Sequence, residues 1–220
     1  MIRSPSFPYV APFAVFLFLL ILSAALPLSD LTNYAGRVAV MTLVLWLVAR
    51  PVLDFRVRNP LATLALGVLV FALWIGPDVL FPGYRRHWLF ENPVTGAIHS
   101  TVSTDSRGRP LVLALRALRS IAIVPVVEEL FWRAWLMRWL IAPDFRQVAL
   151  GAYMPYSFWI VALLFASEHG SYWDVGLAAG IVYNWWMLRT RSLGDLILAH
   201  SVTNACLSVY VVTAGKWEYW

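Results

Sequence analysis

The sequence predicts an all-α membrane protein, a polytopic bundle of about seven to eight transmembrane helices, and its composition and the spacing of its charges carry this prediction. Of the 220 residues, 60% are hydrophobic and 13% are charged, and the mean hydropathy is +0.69. Soluble domains carry roughly 25% charged residues. Charge-free stretches of about 20 residues, long enough to cross about 30 Å of hydrocarbon as a helix, recur along the chain. We therefore expect lipid to surround most of the molecule.

The amino-terminal part contains three predicted spans and one polar segment. The spans run from Val10 to Leu28, from about Tyr34 to Leu53, and from about Leu61 to Phe81. The first is longer than the 7–15 apolar residues usual in a secretory signal, so we interpret it as a retained anchor. The segment Pro82–Pro110 mixes basic and aromatic side chains, a composition typical of a membrane interface.

The carboxyl-terminal part begins with a long helical region from Leu111 to Ile141. It contains Pro125, which lacks a backbone donor and should kink or divide the helix. Three shorter predicted spans follow, at about Tyr156–His169, Trp173–Leu188 and Leu193–Val212.

We treat residues 1–220 as a single integral membrane domain, with amino-terminal spans and an interfacial segment in 1–110 and a core in 111–212. The formal net charge is +5, but the basic residues are spread among loops, which argues against a nucleic-acid partner. Basic loops at 50–58, 138–146 and 189–191 predict a cytoplasmic location by the positive-inside rule. With seven spans the carboxyl end lies outside, and division of the helix at Pro125 would reverse it.

Polar groups within the spans are few, and each costs roughly 2.5–3.5 kcal/mol at mid-membrane unless it is paired. Arg116 and Arg119 lie near a predicted span end, where we expect their long side chains to snorkel to the interface. Asn184 is expected to form a hydrogen bond between helices. Gly176 and Gly180 have the small-xxx-small spacing that lets a helix pack closely against a neighbour.

One predicted helix carries two adjacent acids and an arginine. Glu129 and Arg133 have the i,i+4 spacing and order that let a carboxylate and a guanidinium meet on one helical face. Glu128 points about 100° away around the helix, so its partner must come from a neighbouring helix. We expect that partner to be His169.

These polar groups have the chemistry of a hydrolase. A carboxylate and an imidazole that share a water can remove its proton and make it nucleophilic. His200 and Asn204, again i,i+4, could donate hydrogen bonds to a developing oxyanion. We expect a cavity that opens to the cytoplasm or laterally between helices. The alternative is that the same groups form interhelical polar contacts that hold the bundle together.

Three short motifs in this region resemble a known family. The segments Glu128–Arg133, Phe165–His169 and His200–Asn204 read EExxxR, FxxxH and HxxxN. They are similar, in order, to the motifs of the CAAX prenyl protease and bacteriocin-processing (CPBP, ABI-type) family of intramembrane proteases. The family includes exosortase-associated bacterial relatives, and the short length and single lysine of this chain fit a bacterial inner-membrane member.

The resemblance implies a CAAX-type, glutamate-dependent intramembrane endopeptidase that cuts a membrane-anchored protein or peptide within the lipid bilayer. Glu128 and His169 would activate water, while His200 and Asn204 would stabilise the oxyanion. The residues expected to support the site are Glu129, Arg133 and Phe165. Phe165 would pack one turn from His169 and fix its ring.

Two alternatives remain open. Two histidines and a glutamate are the ligand set of several catalytic zinc sites, but the HExxH arrangement is absent and the histidines lie on different helices. We therefore expect no metal and no cofactor, with zinc as the alternative. The second alternative is a non-catalytic membrane protein, such as an immunity factor or scaffold, because intramembrane charges also serve packing and ion binding.

Overall fold

Helices and their connections make up the described part of the chain, residues 4–220 of a computed structural model, in which no strand is formed. Seven helices follow one another in these residues: α1 (Phe7–Ala25), α2 (Asp30–Val52), α3 (Pro60–Leu80), α4 (Pro110–Trp139), α5 (Pro155–Ser167), α6 (Trp173–Thr190) and α7 (Leu193–Ala214). The predicted all-α bundle is confirmed.

The helices differ in their capacity to cross a membrane. Five of those described, α1, α2, α3, α4 and α7, are long and apolar enough to do so. Helix α5 has 13 residues, about 20 Å at 1.5 Å per residue, which is less than the roughly 30 Å of a hydrocarbon core. Helix α7, with 22 residues, is about 14 Å longer by the same rise.

Pro125 was predicted to kink or divide α4, and the structure shows a local distortion of the helix without a division. The helix continues through a π-turn at Arg119–Ile123, immediately before the proline, and the Val124 N–H bonds to the Arg119 carbonyl. In a regular helix the Ser120 carbonyl would accept a hydrogen bond from the N–H of residue 124 or 125. The Val124 N–H already bonds to Arg119, and Pro125 has no N–H. The helix therefore remains whole and leaves one carbonyl available to another element.

Helices α3 and α7 pack closely at two points. A Cβ added at Gly67 would lie 2.6 Å from the Ala199 carbonyl oxygen, so only glycine permits this approach. Near the start of both helices, the buried Asp195 accepts hydrogen bonds from the Arg58 and Asn59 backbone N–H groups at 2.8 and 2.9 Å. The carboxylate thereby satisfies donors at the amino end of α3.

The segment between α3 and α4 contacts the α5–α6 turn. Arg85, which is buried, donates to Asp78 and to Asp174 at 2.8 Å each and to the Ser171 carbonyl at 2.7 Å. Its guanidinium lies 4.2 Å from the centre of the Tyr172 ring. These contacts fasten the segment to the turn, so the polar stretch predicted to lie at an interface closes one end of the bundle.

The basic loops and the carboxyl terminus lie at opposite ends of the bundle. Ser192 donates to the Arg56 carbonyl at 2.9 Å, which joins two of the basic loops. At the other end, the Trp220 carbonyl accepts from the Thr101 N–H at 2.6 Å. The cytoplasmic location of the basic end stays a prediction.

Candidate active site

One cavity of about 190 Å³ is lined by four side chains that were predicted to act together: Glu128, His169, His200 and Asn204. Glu128 comes from α4, His169 follows α5, and His200 and Asn204 belong to α7. Residues from three separate parts of the chain therefore face a shared space, which sequence spacing alone does not establish.

A buried ion pair supports one wall of this cavity. Glu129 and Arg133 are both fully buried, and the Arg133 Nη1 donates to the Glu129 Oε1 at 3.1 Å, which confirms the predicted i,i+4 contact. The Arg133 Nε donates to the Asn184 side-chain oxygen at 2.9 Å. Asn184 in turn donates to the Phe158 carbonyl at 2.8 Å, so the predicted interhelical hydrogen bond of Asn184 is confirmed.

The same carboxylate oxygen of Glu129 holds His200. It lies 2.8 Å from the His200 Nδ1, and the Tyr183 ring stacks on the imidazole with centroids 5.2 Å apart. The sequence predicted only the Arg133 contact of Glu129, because the spacing within a helix says nothing about a partner on another helix. Glu129 thus connects the arginine of α4 to a cavity-lining imidazole of α7.

The His169 ring is fixed in one tautomer and one position. Its Nδ1 lies 2.7 Å from the Phe165 carbonyl oxygen, and since a carbonyl only accepts, Nδ1 carries the proton. In the neutral ring, Nε2 is then the basic atom. The Phe165 ring packs against the imidazole at 4.8 Å, as expected, and a Cβ at Gly176 would lie 3.1 Å from Nδ1.

Glu128 is buried and lacks a direct partner. Its Oε2 has no hydrogen bond among residues 4–220, and the predicted partner, His169, shares the cavity without bonding to it directly. A carboxyl group that faces a cavity with an unused oxygen is suited to binding a water or a substrate atom.

Asn204 is positioned by the carbonyl that Pro125 leaves free. Its Nδ2 donates to the Ser120 carbonyl oxygen at 2.7 Å. An amide NH₂ has two hydrogens, so one fixes the side chain and the second remains for another acceptor. Pro125 therefore leaves the Ser120 carbonyl of α4 free, and this carbonyl orients the Asn204 side chain of α7.

Arg116 and Arg119 do not snorkel to an interface, and this expectation is wrong. They are only 9% and 6% exposed, and both line the same cavity as Glu128. The reason is the cover over this end of the bundle: the carboxyl-terminal Trp220 lies against Arg116, with the guanidinium 5.2 Å from its ring. The side chains therefore turn into the protein.

The cavity lies towards the end of the bundle that is opposite the basic loops. A second recess of about 460 Å³ adjoins it, and its lining includes Trp74, His169 and Trp220, which the two spaces share, together with Thr95 and Glu168. The recess runs beneath the segment that joins α3 and α4. If the basic loops face the cytoplasm, as predicted, the cavity lies towards the opposite side of the membrane. The expected cytoplasmic opening is therefore incompatible with the predicted orientation.

The arrangement of the histidines and acids also bears on zinc. Across the described range 4–220, no group of three or more His, Cys, Asp or Glu side chains has the arrangement of a metal site. Glu128, His169 and His200 share a cavity without forming such a group.

The helices and this cavity define an integral membrane protein with a buried acid–imidazole–amide cluster. Residues 110–206 match the family described as "Rce1-like: Type II CAAX prenyl endopeptidase Rce1-like". The match includes all three motifs and confirms the predicted resemblance to the CAAX protease family. No curated protein and no solved structure matches the chain.

Proposed function

We propose that this chain is a glutamate-dependent intramembrane endopeptidase that hydrolyses a peptide bond in a membrane-anchored protein or peptide. The observation that carries the proposal is the convergence of Glu128, His169, His200 and Asn204 on one cavity. The family match gives independent support. We further propose that the protein resides in a bacterial inner membrane.

In the proposed reaction, Glu128 and His169 activate a water molecule between them. The carboxylate of Glu128 and the Nε2 of His169 are the two basic atoms available, since the His169 Nδ1 is committed to the Phe165 carbonyl. Removal of a proton makes the water a nucleophile for the peptide carbonyl. The protonated base then returns the proton to the leaving amine.

His200 and Asn204 would stabilise the oxyanion of the tetrahedral intermediate. Asn204 has one amide hydrogen beyond the one given to Ser120. Glu129 holds the His200 Nδ1, so Nε2 is the ring atom left for the substrate. A donor to the oxyanion is worth about 10²- to 10³-fold in rate.

The proposed activity is tested by sequencing carboxyl-terminal peptides from membranes that contain or lack the active chain. We expect new carboxyl termini only with the chain present, on protein segments at the non-cytoplasmic face, because the cavity lies opposite the basic loops. Cleavage by purified protein should persist in a chelator. Loss of cleavage in the chelator would support the zinc alternative, and absence of any new terminus would contradict proteolysis.

We expect Gly176→Ala to reduce proteolytic activity about tenfold, because small displacements of a catalytic group are costly. The added Cβ would lie 3.1–3.2 Å from the atoms of His169, so the imidazole has to move. Gly36→Ala is the matched control, since a Cβ at that helical glycine meets nothing within 4 Å. Initial rates on one cleaved substrate provide the measurement, and equal rates for the two variants would contradict the role given to Gly176.

A further inference from the structure

Two buried arginines in the cavity have no acidic partner. The Nε of Arg116 and the Nε and Nη1 of Arg119 form no hydrogen bond with any residue of the described range. Neither side chain takes part in an ion pair there. Both guanidinium groups lie against aromatic rings: the Trp220 ring is 5.2 Å from Arg116, and the Tyr34 ring is 5.6 Å from Arg119. Arg116 also has the uncharged Tyr34 side chain as a hydrogen-bond partner.

The surroundings increase the positive charge at this place. Arg37 is close enough to repel both arginines, and its own side chain donates to the Ser23 hydroxyl, a neutral group, at 2.8 Å. Arginine cannot discard its proton to escape burial. An unpaired buried charge is costly, and proteins bury charges where a partner neutralises them.

We propose that Arg116 and Arg119 form an anion-binding subsite that takes an oxyanion, a carboxylate or a phosphate, beside the reacting bond. The inference deepens the proposed function, because it gives the substrate a charged group that the same cavity recognises. A guanidinium presents its donors in a planar fork that matches carboxylate and phosphate oxygens. Both arginines line the cavity, so their guanidinium groups are matched to this class of ligand.

The position of the arginines sets the distance between the anion and the reacting bond. Arg119 and Glu128 are nine positions apart on helix α4, which gives a rise of about 14 Å. An extended peptide advances about 3.3–3.6 Å per residue. An anion at the level of Arg119 therefore lies about four residues from the bond that Glu128 addresses, and one at the level of Arg116 about five. A lipid phosphate would have to reach the same depth.

The test measures binding, so that it does not depend on cleavage. The probes are a short apolar peptide with a free terminal carboxylate, the same peptide as its carboxamide, dihexanoyl phosphatidic acid and dihexanoyl glycerol. Each is titrated against the intact purified protein, and the melting temperature is followed. We expect at least one anionic probe to bind about tenfold more tightly than its neutral counterpart. A difference between the two peptides identifies a peptide carboxylate as the ligand, and a difference between the two lipids identifies a lipid phosphate.

Variants assign the effect to the arginine pair. Arg119→Gln should remove the preference for the anion, whereas Arg86→Gln, an exposed arginine at the same end of the bundle, should keep it. Equal binding of both anionic probes and their neutral counterparts to the wild-type protein would overturn the subsite, even if proteolysis is found. A preference that survives in Arg119→Gln and Arg116→Gln would overturn it as well. A subsite that binds anions in a protein that cleaves nothing would leave this inference standing and contradict only the proposed function.

Discussion

Replacing Glu128 by glutamine is expected to abolish cleavage while the protein still folds and inserts. The amide keeps the shape of the carboxylate and cannot accept the proton of the attacking water. General acid–base groups contribute about 10²- to 10⁴-fold, so we expect a loss of at least about 100-fold. The measurement is turnover of one identified substrate by purified protein, with thermal unfolding recorded on the same sample.

The stability of this variant should remain close to that of the wild type. The Glu128 Oε2 has no hydrogen-bond partner among residues 4–220, so the substitution deprives no neighbour of a contact. Glu168→Gln is the informative comparison, because Glu168 is an exposed acid in the adjoining recess. If Glu128→Gln retains turnover and Glu168→Gln loses it, the base has been assigned to the wrong acid.

Glu129→Gln is expected to reduce both stability and activity. Arg133 is fully buried and has Glu129 as its ion-pair partner, and removal of one member of a buried pair costs about 3–5 kcal/mol. His200 also loses the carboxylate that holds its Nδ1, so the ring is no longer fixed in position. Denaturant unfolding measures the first effect, and the rate of peptide cleavage measures the second.

A double variant separates the two effects of Glu129. Glu129→Leu combined with Arg133→Met removes both charges, and replacing a buried pair by apolar groups is often neutral for stability. We expect the double variant to unfold less readily than Glu129→Gln and to remain inactive, because His200 is still without its acceptor. Wild-type stability in Glu129→Gln would show that the pair does not support the bundle.

Contacts within one helix could be predicted from the sequence with both partners named, whereas the partners of contacts between helices could not. The pair Glu129–Arg133 follows from helical geometry alone. The contact between Glu129 and His200 depends on how α4 and α7 pack, which no spacing encodes. The motif resemblance predicted that these residues act together, but it gave no reason for the orientation of each ring.

Two predictions differ from the structure for identifiable reasons. Pro125 was expected to kink or divide α4; a π-turn distorts the helix without dividing it, and the chain uses the released carbonyl to hold Asn204. Arg116 was expected to snorkel, because hydropathy places it near a span end. Hydropathy does not include the cover that the carboxyl terminus provides over that end.

The short helix α5 has a consequence for the lipid around the protein. Its outer side exposes apolar side chains such as Trp159, Leu163 and Leu164, although the helix is about 10 Å shorter than a hydrocarbon core. A bilayer adapts to such hydrophobic mismatch by thinning locally, at a cost of fractions of a kcal/mol per Å. Acyl chains beside α5 would therefore be compressed, and bulk water would come closer to His169 there than elsewhere on the bundle. The thickness of the bilayer would therefore affect how close bulk water comes to His169.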